Sequence, residues 1–284
     1  MPNFYIISEK ETPIDGKVSE SEKFSVFYHD IFDYPLTLSD LVKWTPAKPL
    51  AQMENFSVIK KDGYFFIKGH TGLIYKRILR KRISSKKTEI AQKMSNYLSL
   101  IPSVKMVALT GSLAMENSTD ESDIDLFVVT SSNLLWTTRL LSYSLLKILG
   151  IDVRKPGTKR QKDKLCLNMW MDESNLIWRH PRNIYTSHEV AQVVPLVNRD
   201  KTYEQFIWKN KWIINFWPNA VKIERQKKRN TAKNTSFFQK LIEKIAYQVQ
   251  YKHMREKITR EIVSPGRAIF HPEDWGEIVL RRFS

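Results

Sequence analysis

Apolar positions recur at helical spacing in some parts of the chain and form short continuous runs in others. Residues 22–32 carry apolar side chains three and four positions apart, which predicts a helix. Tyr34 precedes a proline, a position that disfavours helical geometry, so we expect the helix to end there. Thr37 or Ser39 can cap a second, short helix. The first 70 residues are thus predicted to begin with two helices.

Two β-rich runs follow in the segment FSVIKKDGYFFIKG, with Asp62-Gly63 between them. This dipeptide is a strong hairpin signal, because both positions accept a positive φ. Helix, helix and hairpin in this order, with a middle helix near residues 49–55, resemble a winged helix-turn-helix. Such a module binds DNA in some proteins and serves protein contact or packing in others. We therefore assign residues 1–70 to a winged-helix-like module.

A long helix is predicted next, over residues 72–99, in a connecting segment that we place at residues 71–102. Its basic side chains fall on more than one helical face: Lys76, Arg77, Arg80, Lys81, Arg82, Lys86 and Lys87. Two interpretations stay open for this helix. It is either a solvated helix of mixed charge or a contact for a phosphate backbone.

The pattern changes again in the central part of the chain, where strands and helices alternate. Short apolar runs at residues 104–109, 123–129 and 164–171 fit buried strands. A helix is predicted between Ser132, as its N-terminal cap, and Gly150, which follows its end. Alternation of this kind predicts an α/β (or α+β) fold.

Helical spacing dominates from residue 199 onward. Ser236 and Gln239 form a capping box, and the apolar residues that follow mark one face of a helix. We therefore predict a C-terminal helical domain over residues 199–284. Residues 221–233 carry six basic side chains against one acidic, which predicts either a solvated loop or a contact with a polyanion.

Composition narrows the class of protein. The chain has 284 residues, 42% of them hydrophobic, so it can bury a sizeable core. Its formal net charge of +16 favours polyanionic partners such as nucleic acid, although a basic host proteome would give the same balance. Cys166 is the one cysteine, which excludes an intrachain disulfide framework. The sequence also has no zinc-ligand spacing.

The N-terminal residues and the longest apolar stretch bear on the cellular location. The first 13 residues include acidic residues and a proline where a signal peptide would be apolar. Residues 134–149 are interrupted by Arg139 and Lys147, and are too short and polar to span a bilayer. We therefore expect a cytoplasmic protein with no membrane partner.

The most informative segment is VALTGSLAMENSTDESDIDLFVVT, residues 107–130. One predicted strand ends at Gly111-Ser112, and Asp123 and Asp125 open the next. Because side chains alternate between faces along a strand, the two aspartates project to the same side. Adjacent carboxylates repel each other unless a cation neutralises them, and Mg²⁺ prefers such oxygen ligands.

Gly111 and Ser112 supply the other half of the expected site. Glycine lets the backbone approach a phosphate closely, and Ser112 offers a hydroxyl and a backbone N–H. We expect this pair to hold the β- and γ-phosphates of a nucleotide. Together with the aspartates it predicts a metal-assisted phosphoryl-transfer site, where positioning and charge neutralisation do most of the catalysis.

A Gly-Ser pair, a spacer of ten residues, and Asp-x-Asp opening an apolar strand resemble the signature of the DNA polymerase beta-like nucleotidyltransferases. The spacer is similar to that of the minimal nucleotidyltransferases. The resemblance covers about residues 103–175 and implies a core with a small mixed sheet, which we place at residues 103–198. It also implies that Asp123 and Asp125 are catalytic ligands of Mg²⁺ (or Mn²⁺), with an NTP as substrate.

The family usually adds a third carboxylate from a later strand, as a metal ligand or a general base. The corresponding run here is KLCLNMWM, whose polar inward-facing candidate is Asn168. Asparagine cannot act as a base and is a weaker Mg²⁺ ligand, so Asn168 departs from the family pattern. Further candidates are Asp172 and Glu173, just past the strand, and the more distant Asp152 and Glu189.

Basic residues precede that strand. Residues 153–164 carry six basic side chains against one acidic. Arg154, Lys159 and Arg160 could meet a triphosphate or an acceptor backbone, and a solvated loop is the alternative. His188 stands at the start of a predicted helix, where we expect a capping and packing role.

The reaction predicted from these residues is transfer of a nucleoside monophosphate from an NTP to an acceptor hydroxyl, with release of pyrophosphate. The charge and the N-terminal module favour an RNA or DNA 3′ end as the acceptor. Nucleotidylation of a protein side chain is one alternative, through the resemblance to the minimal nucleotidyltransferases. Asn168 supports another, a catalytically degenerate regulator that binds nucleic acid. A cationic small-molecule acceptor fits a basic site less well.

Overall fold

The structure is a computed structural model, and it describes residues 12–13, 18–49, 56–154, 161–179, 181–226, 236–258, 261–270 and 275–283. The helix expected near residues 49–55, apart from its first position, lies outside the described residues. The same holds for Lys159 and Arg160, and for residues 227–233 of the basic C-terminal segment.

The N-terminal part contains two helices and a four-stranded antiparallel sheet of order β1-β3-β4-β2. Its elements are β1 (Thr12–Pro13), α1 (Glu20–Asp30), β2 (Leu36–Thr37), α2 (Leu38–Lys43), β3 (Val58–Lys61) and β4 (Tyr64–Ile67). Ser19 and Thr37 cap the two helices, each through a capping box. Asp62 and Gly63 both have a positive φ, which confirms the predicted hairpin turn.

A six-stranded mixed sheet forms the central part, in the order β8-β5-β6-β7-β10-β9. Its elements are α3 (Gly72–Leu98), β5 (Val104–Leu109), α4 (Gly111–Ala114), β6 (Ile124–Thr130), α5 (Leu135–Ile148), β7 (Leu165–Asp172), α6 (Ile184–Ala191), β8 (Val194–Asn198), β9 (Ile262–Ser264) and β10 (Arg267–Ile269). β6 and β7 run parallel, whereas β5 is antiparallel to both of its neighbours. The predicted α/β fold with a mixed sheet is confirmed.

The C-terminal part is helical, as predicted, with α7 (Thr202–Lys209), α8 (Phe237–Met254) and α9 (Trp275–Leu280). Short 3-10 helices lie at Arg199–Lys201, Lys211–Asn215 and Arg255–Lys257. It also supplies β9 and β10, and the pairing of β10 with β7 extends the central sheet. Of the helices described, none is long and apolar enough to cross a membrane.

The cap predicted for α5 is wrong. The helix begins at Leu135 without a side-chain cap from its own segment, so Ser132 does not cap it. Glu243 of α8 accepts the backbone N–H groups of Trp136 (2.7 Å) and Thr137 (2.9 Å) instead. A carboxylate from a distant helix therefore caps this N-terminus, which no local pattern could indicate.

The capping role of Glu243 also explains the orientation of α8. The capping box of Ser236 with Gln239 is confirmed, but Glu243 and Ala246 lie on the buried side of the helix. The apolar residues that follow the capping box are exposed: Phe238, Leu241, Ile242, Ile245 and Val249. The helix thus turns its apolar face away from α5.

Hydrophobic clusters cover both faces of the central sheet. On one face, Val128 of β6 packs in the same cluster as Trp136 and Leu146 of α5. On the other face, Phe127 belongs to a cluster that also contains Phe24 and residues of α6. The N-terminal part therefore shares its core with the central sheet. The division of the chain at residues 70, 102 and 198 stays a prediction.

Two basic residues of α3 lie inside the protein. Arg77 stacks over the Tyr34 ring at 4.1 Å. Lys87 is 2% exposed, and its Nζ donates to the carbonyls of Asp120 (3.0 Å) and Ser122 (2.8 Å) and to Asp163 Oδ1 (2.6 Å). Neither residue is solvated or open to a phosphate backbone. Lys87 instead fixes the turn that leads into β6.

The Lys87→Met variant should be markedly less stable than the wild type, because three oxygen acceptors lose their charged donor. We expect the free energy of unfolding to fall by about 2–4 kcal/mol, measured by urea denaturation. Lys86 is exposed and gives a matched control, for which Lys86→Met should change stability by less than about 0.5 kcal/mol. Equal effects of the two substitutions would contradict the bracing role of Lys87.

Candidate functional site

Strand β5 ends in a turn that favours glycine. Thr110 is extended, with φ −136° and ψ −179°, and Gly111 has φ +59°. A Cβ added at Gly111 would lie 3.0 Å from Asp125 Oδ2. The backbone conformation and the close approach of the carboxylate therefore both favour glycine at this position.

Ser112 follows on the exposed side of this turn. Its Oγ lies 3.2 Å from Ser118 Oγ, and its carbonyl accepts the Asn117 N–H at 2.8 Å. Helix α4 has only four residues, so its dipole is small. An anion at this turn could therefore contact the Ser112 hydroxyl and the backbone that lies close to Asp125.

Asp123 and Asp125 lie side by side at the start of β6. Strand β7 runs parallel to β6 and places Cys166 beside Asp125. One ligand atom from each of the three residues (a carboxylate oxygen or Cys166 Sγ) can be chosen so that all lie within 4.8 Å of one another. The predicted pair of carboxylates on one side of the strand is therefore present.

Each aspartate has a different partner. Arg154 Nη1 donates to Asp123 Oδ2 at 2.8 Å, and Asn168 Nδ2 donates to Asp125 Oδ1 at 2.7 Å. The Arg154 guanidinium also lies 3.7 Å from Cys166 Sγ. The structure thus brings together Arg154, Asn168 and both aspartates, with a cationic partner for Asp123 and an amide partner for Asp125.

Burial and then the negative charge of Asp123 raise the pKa of Asp125 to about 7. A hydrogen bond from Cys166 and the charge of Arg154 act in the opposite direction and lower it. Such a pair favours a bound cation, which would relieve the repulsion. Asn168 Oδ1 is buried without a hydrogen-bond partner in the described part of the chain. Two carboxylates and an amide oxygen fit the oxygen-rich coordination of Mg²⁺.

A cavity of about 450 Å³ opens beside Asp125 and the Gly111 turn, a volume in the range of small-molecule sites. The N-terminal part contributes His29, Phe32 and Tyr34 to its walls, and the C-terminal part contributes Phe270 and Trp275. The cavity therefore belongs to the whole chain and not to the central sheet alone.

A further carboxylate reaches this cavity from α6. Glu189 lines the wall and accepts a hydrogen bond from Gln192 Nε2 at 2.7 Å. Burial and then the charge of Asp125 raise the pKa of Glu189 to about 7. Glu189 is one of the two distant candidates by sequence, and the packing of α6 brings it to the cavity beside the start of β6.

The other acidic candidates lie elsewhere. Asp172 stands opposite Thr130 at the far end of β7, where it accepts hydrogen bonds from Asn133, Ser174 and Asn175. Glu173 follows it in the chain, and its backbone N–H donates to the Thr130 carbonyl. Asp152 is exposed before β7, and its carbonyl accepts the Leu165 N–H.

His188 lies in a buried aromatic cluster, which confirms its packing role. Its ring stacks on Trp44 at 4.0 Å between centroids, and its Nε2 lies 3.3 Å from His29 Nε2. Burial is the main cause that lowers the pKa of both histidines, so both are neutral at physiological pH. Asn183, and not His188, caps α6.

Comparison with known proteins agrees with this geometry. Residues 92–180 match the family model described as Polymerase beta, Nucleotidyltransferase. The matched segment includes β5, the Gly111 turn, β6 and β7, and so contains Asp123 and Asp125. The cavity walls from the N-terminal and C-terminal parts lie outside the match. No curated protein shows a significant match to the chain.

The Asp125→Asn variant should be more stable than the wild type in metal-free solution at neutral pH. Folding raises the pKa of Asp125, so the native state binds more protons than the unfolded state between pH about 4 and about 7. The contribution of Asp125 to stability therefore falls as the pH rises through that window. We expect a gain of about 1–2 kcal/mol at pH 8 and almost none at pH 4, measured by urea denaturation.

Asp120 provides the control for this experiment. It precedes β6 in the same turn, but its hydrogen bond with Lys162 lowers the pKa of its carboxyl. Asp120→Asn should therefore give no gain at pH 8. A gain from Asp125→Asn that is the same at both pH values would show that charge repulsion is not its cause.

Proposed function

We propose, from the polymerase beta-like nucleotidyltransferase domain of residues 92–180, that the protein transfers a nucleoside monophosphate from an NTP to an acceptor hydroxyl and releases pyrophosphate. The observation that carries the proposal is the pair Asp123 and Asp125, placed against the Gly111-Ser112 turn. Because Gly111 has no side chain, the Asp125 carboxylate lies close to the backbone of this turn, so a phosphate held by the turn would lie near a metal held by the aspartates.

The residues around the pair take distinct roles in this proposal. Asp123 and Asp125 hold Mg²⁺ or Mn²⁺, which when bound supplies positive charge to the phosphates. Gly111 and Ser112 hold the β- and γ-phosphates through the backbone and the hydroxyl. Arg154 is already ion-paired with Asp123 and can donate its remaining N–H groups to the triphosphate. Lys159 and Arg160 follow in the same basic segment and are proposed as further phosphate contacts.

Proton transfer from the acceptor hydroxyl needs a base, and Asn168 cannot supply one. We assign this role to Glu189, whose carboxylate lines the same cavity as Asp125. Its raised pKa of about 7 suits a general base at neutral pH, because a stronger base accepts the proton more readily. Gln192 Nε2 donates to its Oε1 and holds the carboxylate in the cavity wall.

The proposed acceptor is a nucleic-acid 3′ end. The net charge of +16 supports it, as do Arg82, Lys86 and Lys93, which are exposed and share one face of α3. The opposite side of α3 adjoins the cavity, since Arg80 donates to the Asn117 side chain and the Phe32 carbonyl in its wall.

Asn168 favours one alternative, a nucleic-acid-binding regulator without catalysis, because it occupies the β7 position next to Asp125 as a neutral amide. That alternative predicts that the protein transfers no nucleotide, and that it still binds nucleic acid when both aspartates are replaced. The proposed transferase predicts that the wild type does transfer a nucleotide.

Label from α-labelled NTP should move into an oligonucleotide when the protein is incubated with Mg²⁺ and a mixed pool of RNA and DNA. Asp123→Asn should lower the rate by roughly a hundredfold or more, because a metal ligand contributes several kcal/mol. Asp120→Asn removes an exposed carboxylate from the same turn and should leave the rate unchanged. Label in protein would identify a protein acceptor. Equal labelling by wild type and Asp123→Asn would refute the proposed site.

Glu189→Gln should lower kcat by roughly 10²–10⁴-fold and leave NTP binding intact. The wild-type rate should rise with pH through about 7, as Glu189 loses its proton, and the variant should lack that rise. Steady-state kinetics over this pH range measure both effects. Glu89→Gln, at an exposed position of α3, is the matched control. An unchanged kcat in Glu189→Gln would remove this residue from the reaction.

A further inference from the structure

Strand β7 places a thiol, and not a carboxylate, beside the aspartate pair. Cys166 is the parallel partner of Asp125, it is buried, and its Sγ belongs to the group of ligand atoms within 4.8 Å of one another. Asn168 lies two residues further along the same strand and therefore on the same face. The donor atoms grouped at this centre are two carboxylates and one sulfur, and the Asn168 amide adjoins them through its hydrogen bond to Asp125.

We propose that Cys166 is a direct ligand of the metal centre, and that the centre binds divalent ions of the Zn²⁺ and Co²⁺ class more tightly than Mg²⁺. Mg²⁺ takes oxygen ligands and gains little from sulfur, whereas Zn²⁺ accepts cysteine and aspartate together. Its ligand atoms lie about 2.0–2.3 Å from the ion. Donor atoms within 4.8 Å of one another are thus close to the span that one ion bridges.

Asn168 gives an independent indication that a cation belongs here. Its Oδ1 is buried and accepts no hydrogen bond in the described part of the chain, and its side chain lines the cavity. A buried acceptor without a donor is costly, and a metal ion would satisfy it. Asn168 lies beside Asp125 and would add a fourth donor to the two aspartates and Cys166, and four is the number that Zn²⁺ takes in tetrahedral sites.

The surroundings of the thiol fit a metal ligand. A thiol that coordinates a metal ion loses its proton outright. Arg154, with Nη1 at 3.7 Å from Sγ, adds a second positive charge that favours the thiolate.

This inference deepens the proposed function and rests on its assignment of Asp123 and Asp125 as metal ligands. It does not depend on the acceptor or on catalysis. Metal binding is therefore measured without nucleotide. A metal centre that does not use Cys166 can then be distinguished from a protein that binds metal through Cys166 but transfers no nucleotide.

Co²⁺ titration of the metal-free, full-length protein tests the proposal directly. Because Cys166 is the one cysteine of the chain, a thiolate-to-cobalt charge-transfer band in the near ultraviolet can come from no other residue. We expect this band to saturate at one ion per chain, to disappear on addition of Zn²⁺, and to resist a large excess of Mg²⁺. Co²⁺ binding without the band, or no Co²⁺ binding at all, would overturn the proposal.

Cys166→Ser is the matched variant, because it keeps the size of the side chain and exchanges sulfur for oxygen. We expect it to lose the band and to bind Co²⁺ roughly 10- to 100-fold more weakly, measured by competition with a chromophoric chelator. Its thermal unfolding in metal-free solution should stay close to that of the wild type, which would show that the fold is intact. A Cys166→Ser variant that binds Co²⁺ as tightly as the wild type would exclude the thiol from the centre.

Discussion

The repulsion between Asp123 and Asp125 is the constraint on which the rest of the site depends. Both carboxylates stand on one side of β6, and Arg154 forms an ion pair with Asp123. Gly111 gives Asp125 room by having no side chain, and Lys87 ties down the turn from which β6 starts. The fold thus holds two like charges together at a cost in stability, which a bound divalent ion would repay.

The remainder of the chain completes a cavity around this pair. The family match ends at residue 180, yet the walls include residues of α1, α6 and α9. The N-terminal part is held in place by the cluster it shares with the sheet, where Trp44 stacks on His188. In the proposed reaction, residues of the matched segment bind the phosphates and the metal ion. Glu189 and the cavity wall from the N-terminal part face the acceptor.

The Asp-x-Asp strand, the Gly111 turn and the Asp62-Gly63 hairpin could be predicted from the sequence, because each depends on neighbouring residues alone. The sequence could not rank Glu189 above Asp172, since tertiary packing sets which carboxylate reaches the cavity. Cys166 lies in an apolar run, so the sequence provided no reason to propose it as a site residue. For the helix with Lys87 the sequence left a solvated face or a phosphate contact open, whereas Lys87 braces a turn, and no local pattern indicated that Glu243 caps a distant helix. Burial of a charge depends on partners that are remote in sequence.

The central claim is that the aspartate pair and the Gly111-Ser112 turn form one site for a metal-bound nucleotide. Calorimetric titration with a non-hydrolysable NTP analogue tests it most directly, with and without Mg²⁺, in the wild type and in Asp123→Asn/Asp125→Asn. The account predicts tight binding only when Mg²⁺ and both carboxylates are present. Binding of equal strength without Mg²⁺, or in the double variant, would contradict it.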